Sequence, residues 1–257
     1  GVKMAMQQLT LPGELVKKHN ELVRSKINIS NVDGSRILAN LIACVRHDDT
    51  EFKDTYRVKV KDFMTDTSGR GYTNIKAVCV SLQATAEIEE PDPDGPHPYL
   101  RLYTFFSSIT YRKGVIEARF NWEMKPLLLD LRRCFTQYNL MEYLTLPSLY
   151  SQRLFEILKS WANAPEVVLS IGELHRLLDS PASFRATFGN SVLGIEKAHK
   201  DIHEKTSLRF EWEPVKAGRS VEAIRFLFAP GRKAIAEAET KKGPRRKNVA
   251  VCRINAL

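Results

Sequence analysis

Apolar positions along the chain fall into two similar series. In the first, Ile37, Leu38, Leu41, Ile42 and Val45 recur at helical spacing behind Asp33, which is placed to cap the helix start. In the second, Leu154, Ile157, Leu158 and Trp161 share one face of a predicted helix running from Ser148 to Trp161. Each helix leads into a short β-like run that enters a second helix, Val58 to Phe63 in one series and Leu169 to Leu174 in the other. A third helical stretch follows in both, Tyr72 to about Glu89 and about Asn190 to Thr206. Each series then closes on a hairpin. Ile116, Ala118, Phe120 and Trp122 alternate with Glu117, Arg119 and Asn121, after an aromatic and β-branched run from Tyr99 to Tyr111 and the turn Arg112-Lys113-Gly114. Leu208, Phe210 and Trp212 alternate with Arg209, Glu211 and Glu213, and Pro214 to Ser220 loops over to Val221–Phe228. The order helix, strand, helix, helix, hairpin is that of a winged helix, a helix-turn-helix with a β-ribbon attached. The sequence therefore predicts an α+β protein of two tandem winged-helix domains.

The rest of the chain fills in around that repeat. Glu14 to Ser25 reads as a short amphipathic helix, and Pro91 to Pro98 as a breaker-rich loop into the first hairpin. Lys125 to Pro147 is too apolar for a solvated linker; it reads as helical and implies that the two domains pack on each other. The predicted division is an N-terminal extension over 1–13, a first winged helix over 14–132, a second over 133–230 and a basic tail over 231–257.

Charge changes this picture by location. The 257 residues carry a formal net charge of +9, but the tail holds eight Lys/Arg against Glu237 and Glu239, so the body keeps only +3. A basic excess points to a polyanionic partner, and equally to a solvated end. No apolar run approaches the roughly 20 residues needed to span a bilayer, and the first residues lack the apolar stretch of a secretory leader. Cys44, Cys79, Cys134 and Cys252 are scattered and form no Cys-x-x-Cys, which predicts unpaired thiols, no zinc site and a reducing cytoplasm.

A helix-turn-helix works because its last helix fits the major groove, where base edges present a distinguishable donor and acceptor pattern. In the second unit Ile195, Ala198, His199 and Ile202 form the predicted inward stripe of that helix, with Val192 and Leu193 anchoring its entry. The predicted outward face is Ser191, Gly194, Lys197, Lys200, Asp201 and Glu204. Ser183, Arg185, Thr187 and Asn190 suit phosphate contacts beside helix starts, and Lys216 and Arg219 make the second hairpin loop basic. The plain alternative is an ordinary charged helix face. In the first unit Arg70, Tyr72, Thr73, Asn74 and Lys76 are candidates for backbone contacts with little base reading, or a mere helix cap. Arg112 and Lys113 are candidates for a phosphate contact, or simple turn residues.

Catalytic patterns fall short. His97 lies between prolines and lacks the second histidine that a nicking enzyme's metal needs. His199 and His203 stand one helical turn apart, but His199 falls on the inward stripe and no carboxylate or cysteine motif accompanies them. No Gly-x-x-x-x-Gly-Lys-Ser/Thr loop occurs, and Asp92 and Asp94 sit in a proline-rich loop without supporting acids. The residues predict no enzyme, no metal and no cofactor.

Several segments resemble the initiators of theta-replicating, iteron-containing plasmids. They are Val16 to Val23, Ser151 to Lys159, Lys200 to Thr206, and Pro214 to Arg219 running into Ile224-Arg225-Phe226. The likeness extends over roughly Leu9 to Pro230, with His199 standing where an aliphatic residue is usual. It implies sequence-specific binding of double-stranded DNA at origin repeats, opening of an adjacent AT-rich segment, and recruitment of the host initiator, helicase and primase. It also implies autorepression or origin pairing by a dimer. By the same likeness, the C-terminal domain supplies most base reading, and the N-terminal one contacts phosphates and carries the dimer surface around Tyr99–Trp122. The residues alone fit a winged-helix transcriptional regulator without a replication role equally well, and a nicking initiator less well.

Overall fold

The computed structural model describes residues 14–46, 48–62, 71–186 and 188–228; of Gly71, Tyr72, Thr73 and Ala186 it describes the backbone alone. The N-terminal extension, Arg70, Thr187 and the basic tail lie outside the described residues. In chain order the elements are β1 (Leu15–His19), α1 (Asn20–Val23), β2 (Lys26–Asn28), α2 (Val32–Ala43), β3 (Tyr56–Lys59), α3 (Gly71–Ser81), β4 (Thr85–Glu90), β5 (Tyr99–Thr104), β6 (Phe106–Arg112), β7 (Val115–Phe120), α4 (Lys125–Leu128), β8 (Phe135–Asn139), α5 (Leu140–Thr145), α6 (Leu149–Lys159), β9 (Glu166–Ser170), α7 (Ile171–Leu177), α8 (Ala182–Ala186), α9 (Phe188–Lys205), β10 (Phe210–Ala217) and β11 (Ser220–Phe228).

The duplication read from the sequence is present in the sheets. In the N-terminal unit the strands lie in the order β3-β7-β6, and in the C-terminal unit β9-β11-β10. In both, the strand after the first helix pairs antiparallel with the last strand of the hairpin. Helix caps set the starts: the Asn31 side chain accepts from the Asp33 and Gly34 amides, and Ser148 from Ser151. Asn31 thus takes the cap expected of Asp33, which instead pairs with Arg36 at 2.9 Å.

Three segments depart from the sequence reading. Glu14–Ser25 is largely a strand, because β1 pairs with β8 from Leu15↔Asn139 to His19↔Phe135. That pairing also breaks the helix expected over Lys125–Pro147, leaving two short helices around β8. It ties the segment expected to open the second unit to the start of the first. The third helix of the N-terminal unit stops at Ser81, and Thr85–Glu90 is the middle strand of an added sheet, β2-β4-β5. There Ala86 and Ile88 turn inward while Glu87 pairs with Lys26. Cys44 and Cys79 are free thiols, whereas Cys134 is disulfide-bonded, correcting the expectation of unpaired cysteines throughout.

One hydrophobic core runs through both units, from Ile37 and Leu41 of α2 through Leu154, Phe155 and Leu158 of α6 to Ile195, Ile202 and Phe226. At its centre is a buried ionic group. Glu156 of α6 accepts from Lys18 of β1, Tyr138 of β8 and Arg153, which also donates to the carbonyls of Val23 and Ser25 at 3.1 and 2.8 Å. Burial alone would raise the Glu156 carboxyl, but the Lys18 ammonium and Arg153 guanidinium hold it below the usual carboxylate range.

Candidate nucleic-acid interface

Helix α9 buries Ser191, Gly194, Ile195, Ala198 and Ile202, a stripe at i, i+3, i+4, i+7 and i+11. Its opposite face exposes Gly189, Leu193, Glu196, Lys197, Lys200 and Glu204. Lys197 and Lys200 lie where the sequence placed them, with Lys200 reaching Glu204 at 3.9 Å one turn on. Ser191 and Gly194 do not. The Ser191 hydroxyl donates to the Phe184 carbonyl at 2.7 Å and lies 3.2 Å from His175 Nε2. A Cβ on Gly194 would stand 2.6 Å from the Phe184 ring, so the absence of a side chain lets α8 close onto α9. Both residues serve that packing, which corrects their placement on the outward face. Leu193, taken as an entry anchor, is 63% exposed instead. Its position one turn from Lys197 and two from Lys200 was the signal available in the sequence.

The approach to the helix is braced from below. The Asn190 side-chain amide donates to the Ser183 carbonyl at 2.8 Å, linking α8 to α9. Ser183 and Arg185 stay exposed, and Asn190 is half-buried. His175, which the sequence did not single out, stands under Ser191; burial first and then the Arg185 charge lower its pKa from the ordinary imidazole value. At the other end of α9, His199 and His203 each place Nε2 at the Phe210 carbonyl, at 3.0 and 2.8 Å, and stack at 4.0 Å. These contacts fasten the helix to β10. Among the described residues no group of three or more His, Cys, Asp or Glu is arranged to hold a metal ion.

Strands β10 and β11 extend into a hairpin whose tip is Ala217–Ser220. Gly218 holds φ 62 at the first central position, as a type II′ turn requires, and Lys216 and Arg219 stand exposed beside it. Helix α9, through Lys197, Lys200 and Lys205, and this wing thus offer five exposed cations on one continuous unit.

The N-terminal counterpart is poorer in charge. Helix α3 exposes Asn74, Lys76, Ala77 and Val80 while Val78 is buried. It packs closely on α2, where a Cβ on Gly34 would meet Ser81 Oγ at 1.9 Å. The β6–β7 turn is fully exposed at Arg112 and Lys113, with Lys113 at φ 49 and Gly114 at φ 78, the two positive angles of a type I′ turn. Arg70 lies outside the described residues, and of Tyr72 and Thr73 only the helical backbone is described.

A duplicated winged helix with cations on its last helix and wing defines a class of duplex-binding proteins. Comparison with known families specifies the class further. Residues 15–159 match the model described as Initiator Replication protein, WH1, and residues 170–228 that described as Initiator Rep protein, WH2. The chain belongs to this family of plasmid replication initiators, which bind DNA through tandem winged helices. No curated protein matches the sequence. Among solved structures, domain 2 and domain 3 of RctB give a TM-score of 0.45 at 10% identity, covering 85% of this chain and 92% of that one. A second structure of RctB domains 2-3 gives 0.42 at 12% identity, covering 79% and 84%.

Proposed function

We propose that this chain initiates plasmid replication by binding repeated double-stranded sites at the origin, with α9 in the major groove and the β10–β11 wing on the adjacent phosphates. The observation that carries this reading is the exposed stripe of α9, where Leu193, Lys197 and Lys200 stand clear of the core beside a cationic wing. Ser183 and Arg185 flank the helix start, where backbone N–H groups add to phosphate binding. The N-terminal unit would add backbone contacts from Asn74, Lys76, Arg112 and Lys113, with Arg70, Tyr72 and Thr73 as further candidates.

The N-terminal unit also supports self-association. Strand β5 is an edge strand with Leu100 and Leu102 59% and 57% exposed, and Trp122 is 70% exposed next to Glu123, which pairs with Arg101 of β5 at 3.3 Å. An apolar unpaired edge of this kind is a template for another strand. In this reading the monomer serves the origin, where it recruits the host initiator, helicase and primase, and the dimer represses the chain's own promoter. The site of action is the bacterial cytoplasm; no helix among the described residues is long and apolar enough to cross a membrane.

Footprinting on the DNA flanking the gene tests this. Directly repeated protected sites, spaced by whole helical turns and bound by monomers, are the expected result. A single inverted repeat bound only by dimers would replace it with a plain transcriptional regulator.

A further inference from the structure

The two faces of the C-terminal sheet differ in character. On the inner face Phe210, Ile224, Phe226 and Phe228 pack with Ile195, Ala198 and Ile202 of α9. The outer face is acidic, and at its edge Glu211 reaches back to within 3.9 Å of His199 Nε2 on α9. The register sets Glu211, Leu227 and Glu166 in one row across the three strands, and Glu213, Arg225 and Val168 in the next. Arg225 bridges Glu213 at 2.7 Å and Glu166 at 3.8 Å, so three carboxylates stand on this face against one guanidinium and the His199 imidazole at its edge. Their side chains are 49%, 50% and 77% exposed at Glu166, Glu213 and Glu211. Val168, 46% exposed, adds an apolar strip between them.

Such a face is misplaced for contacting a polyanion, and its position along the chain suggests what it meets instead. Strand β11 runs from the wing tip to Phe228, so its end lies about 26 Å from the tip at roughly 3.3 Å per residue. That end is beside the Glu211-Leu227-Glu166 row. The 29 residues that follow carry eight Lys/Arg and two Glu. Twenty-nine residues can extend to at most about 100 Å, so chain length alone lets them reach any part of the outer face.

We propose that the basic segment 229–257 docks on the acidic outer face of the C-terminal sheet, through Lys241, Lys242 and Arg245-Arg246-Lys247 against Glu166, Glu211 and Glu213, and that duplex phosphates compete for it. The competition, though not the docking, rests on the DNA-binding reading above. The docked segment is withheld from DNA until the phosphate density is high enough to draw it off, which penalises isolated or weak sites more than arrays of repeats.

Two measurements on the full chain test this. Zero-length carbodiimide coupling without DNA should join Lys241, Lys242 or Lys247 to Glu166, Glu211 or Glu213 within one chain, and about 1 M salt should abolish the products. Their absence, or formation only between chains, overturns the docking. Products that form yet survive saturating duplex uphold the docking and count against the DNA reading. Separately, E166Q/E211Q/E213Q should tighten binding to a duplex without repeats by about threefold to tenfold, the scale of a few exposed ion pairs. The same change in a chain already carrying K241Q/K242Q/R245Q/R246Q/K247Q should have little effect. An equal gain in both backgrounds would show a general loss of repulsion and sink the proposal.

Discussion

Leu193 is an apolar side chain held in water on a helix whose exposed neighbours are Glu196, Lys197 and Lys200. In the major groove the one apolar feature that marks a base is the thymine methyl. Leu193→Ala is expected to weaken binding to the cognate repeat about fourfold, the value of roughly one buried methylene. Replacing thymine by deoxyuridine in the repeat should weaken the parent chain and leave the variant unchanged; equal sensitivity would remove Leu193 from the groove. Gly194 answers to a different neighbour. Gly194→Ala drives a methyl into the Phe184 ring and should lower stability by about 1–3 kcal/mol in urea titrations. Phe184→Leu in the same chain should restore part of it. Lys197, Lys200, Lys216 and Arg219 were legible from charge and helical spacing alone. Ser191 and Gly194 were not, because which small residue turns inward depends on α8, a neighbouring helix whose packing no local pattern encodes.

Among the elements, the last helices of the two winged units differ in the side chains they expose. Helix α9 exposes three lysines and a leucine, whereas α3 exposes one lysine among Asn74, Ala77 and Val80. Lys197→Ala with Lys200→Ala should therefore reduce specific binding far more than Asn74→Ala with Lys76→Ala, as read in titrations with the cognate repeat against unrelated duplex. Equal losses would overturn the ranking. The wing acts on charge instead: Arg219→Ala should flatten the salt dependence by about one unit of slope with sequence preference intact. An unchanged slope would place Arg219 off the DNA. The winged-helix order and both hairpin tips were readable from alternation and turn residues. Strand β4 was not, since Ala84, Ala86, Glu87, Glu89 and Glu90 are poor strand formers, and it is pairing with β2 and β5 that makes the segment extended. Strand β1 was hidden for a related reason: its buried Lys18 looks like a surface residue until its partner on α6 is known.

Across the whole molecule, the buried group around Glu156 ties α6 to the layer built on β1 and β8, because Glu156 and Arg153 lie on α6 while Lys18, Tyr138 and the carbonyls of Val23 and Ser25 belong to that layer. Its charges are balanced only together. Glu156→Gln leaves Lys18 and Arg153 buried without a counter-charge and should destabilise the chain by about 3–5 kcal/mol, whereas an apolar triple replacement of Lys18, Arg153 and Glu156 should recover much of that loss. Titration gives a second handle on the same coupling. His19, His175 and His203 all have pKa values lowered chiefly by burial, from the ordinary value of 6.5. Their contribution is complete above that value and is lost as pH falls through the lowered folded values. Glu156, lowered from 4.5, keeps its contribution above that ordinary value and loses it further into acid. Thermal unfolding should therefore show the midpoint falling in two stages, one below about pH 6.5 and one below about pH 4.5. In Glu156→Gln the second stage should shrink while the first persists. A second stage of undiminished size in that variant would mean that other carboxylates, not the buried one joining α6 to β1 and β8, govern acid stability.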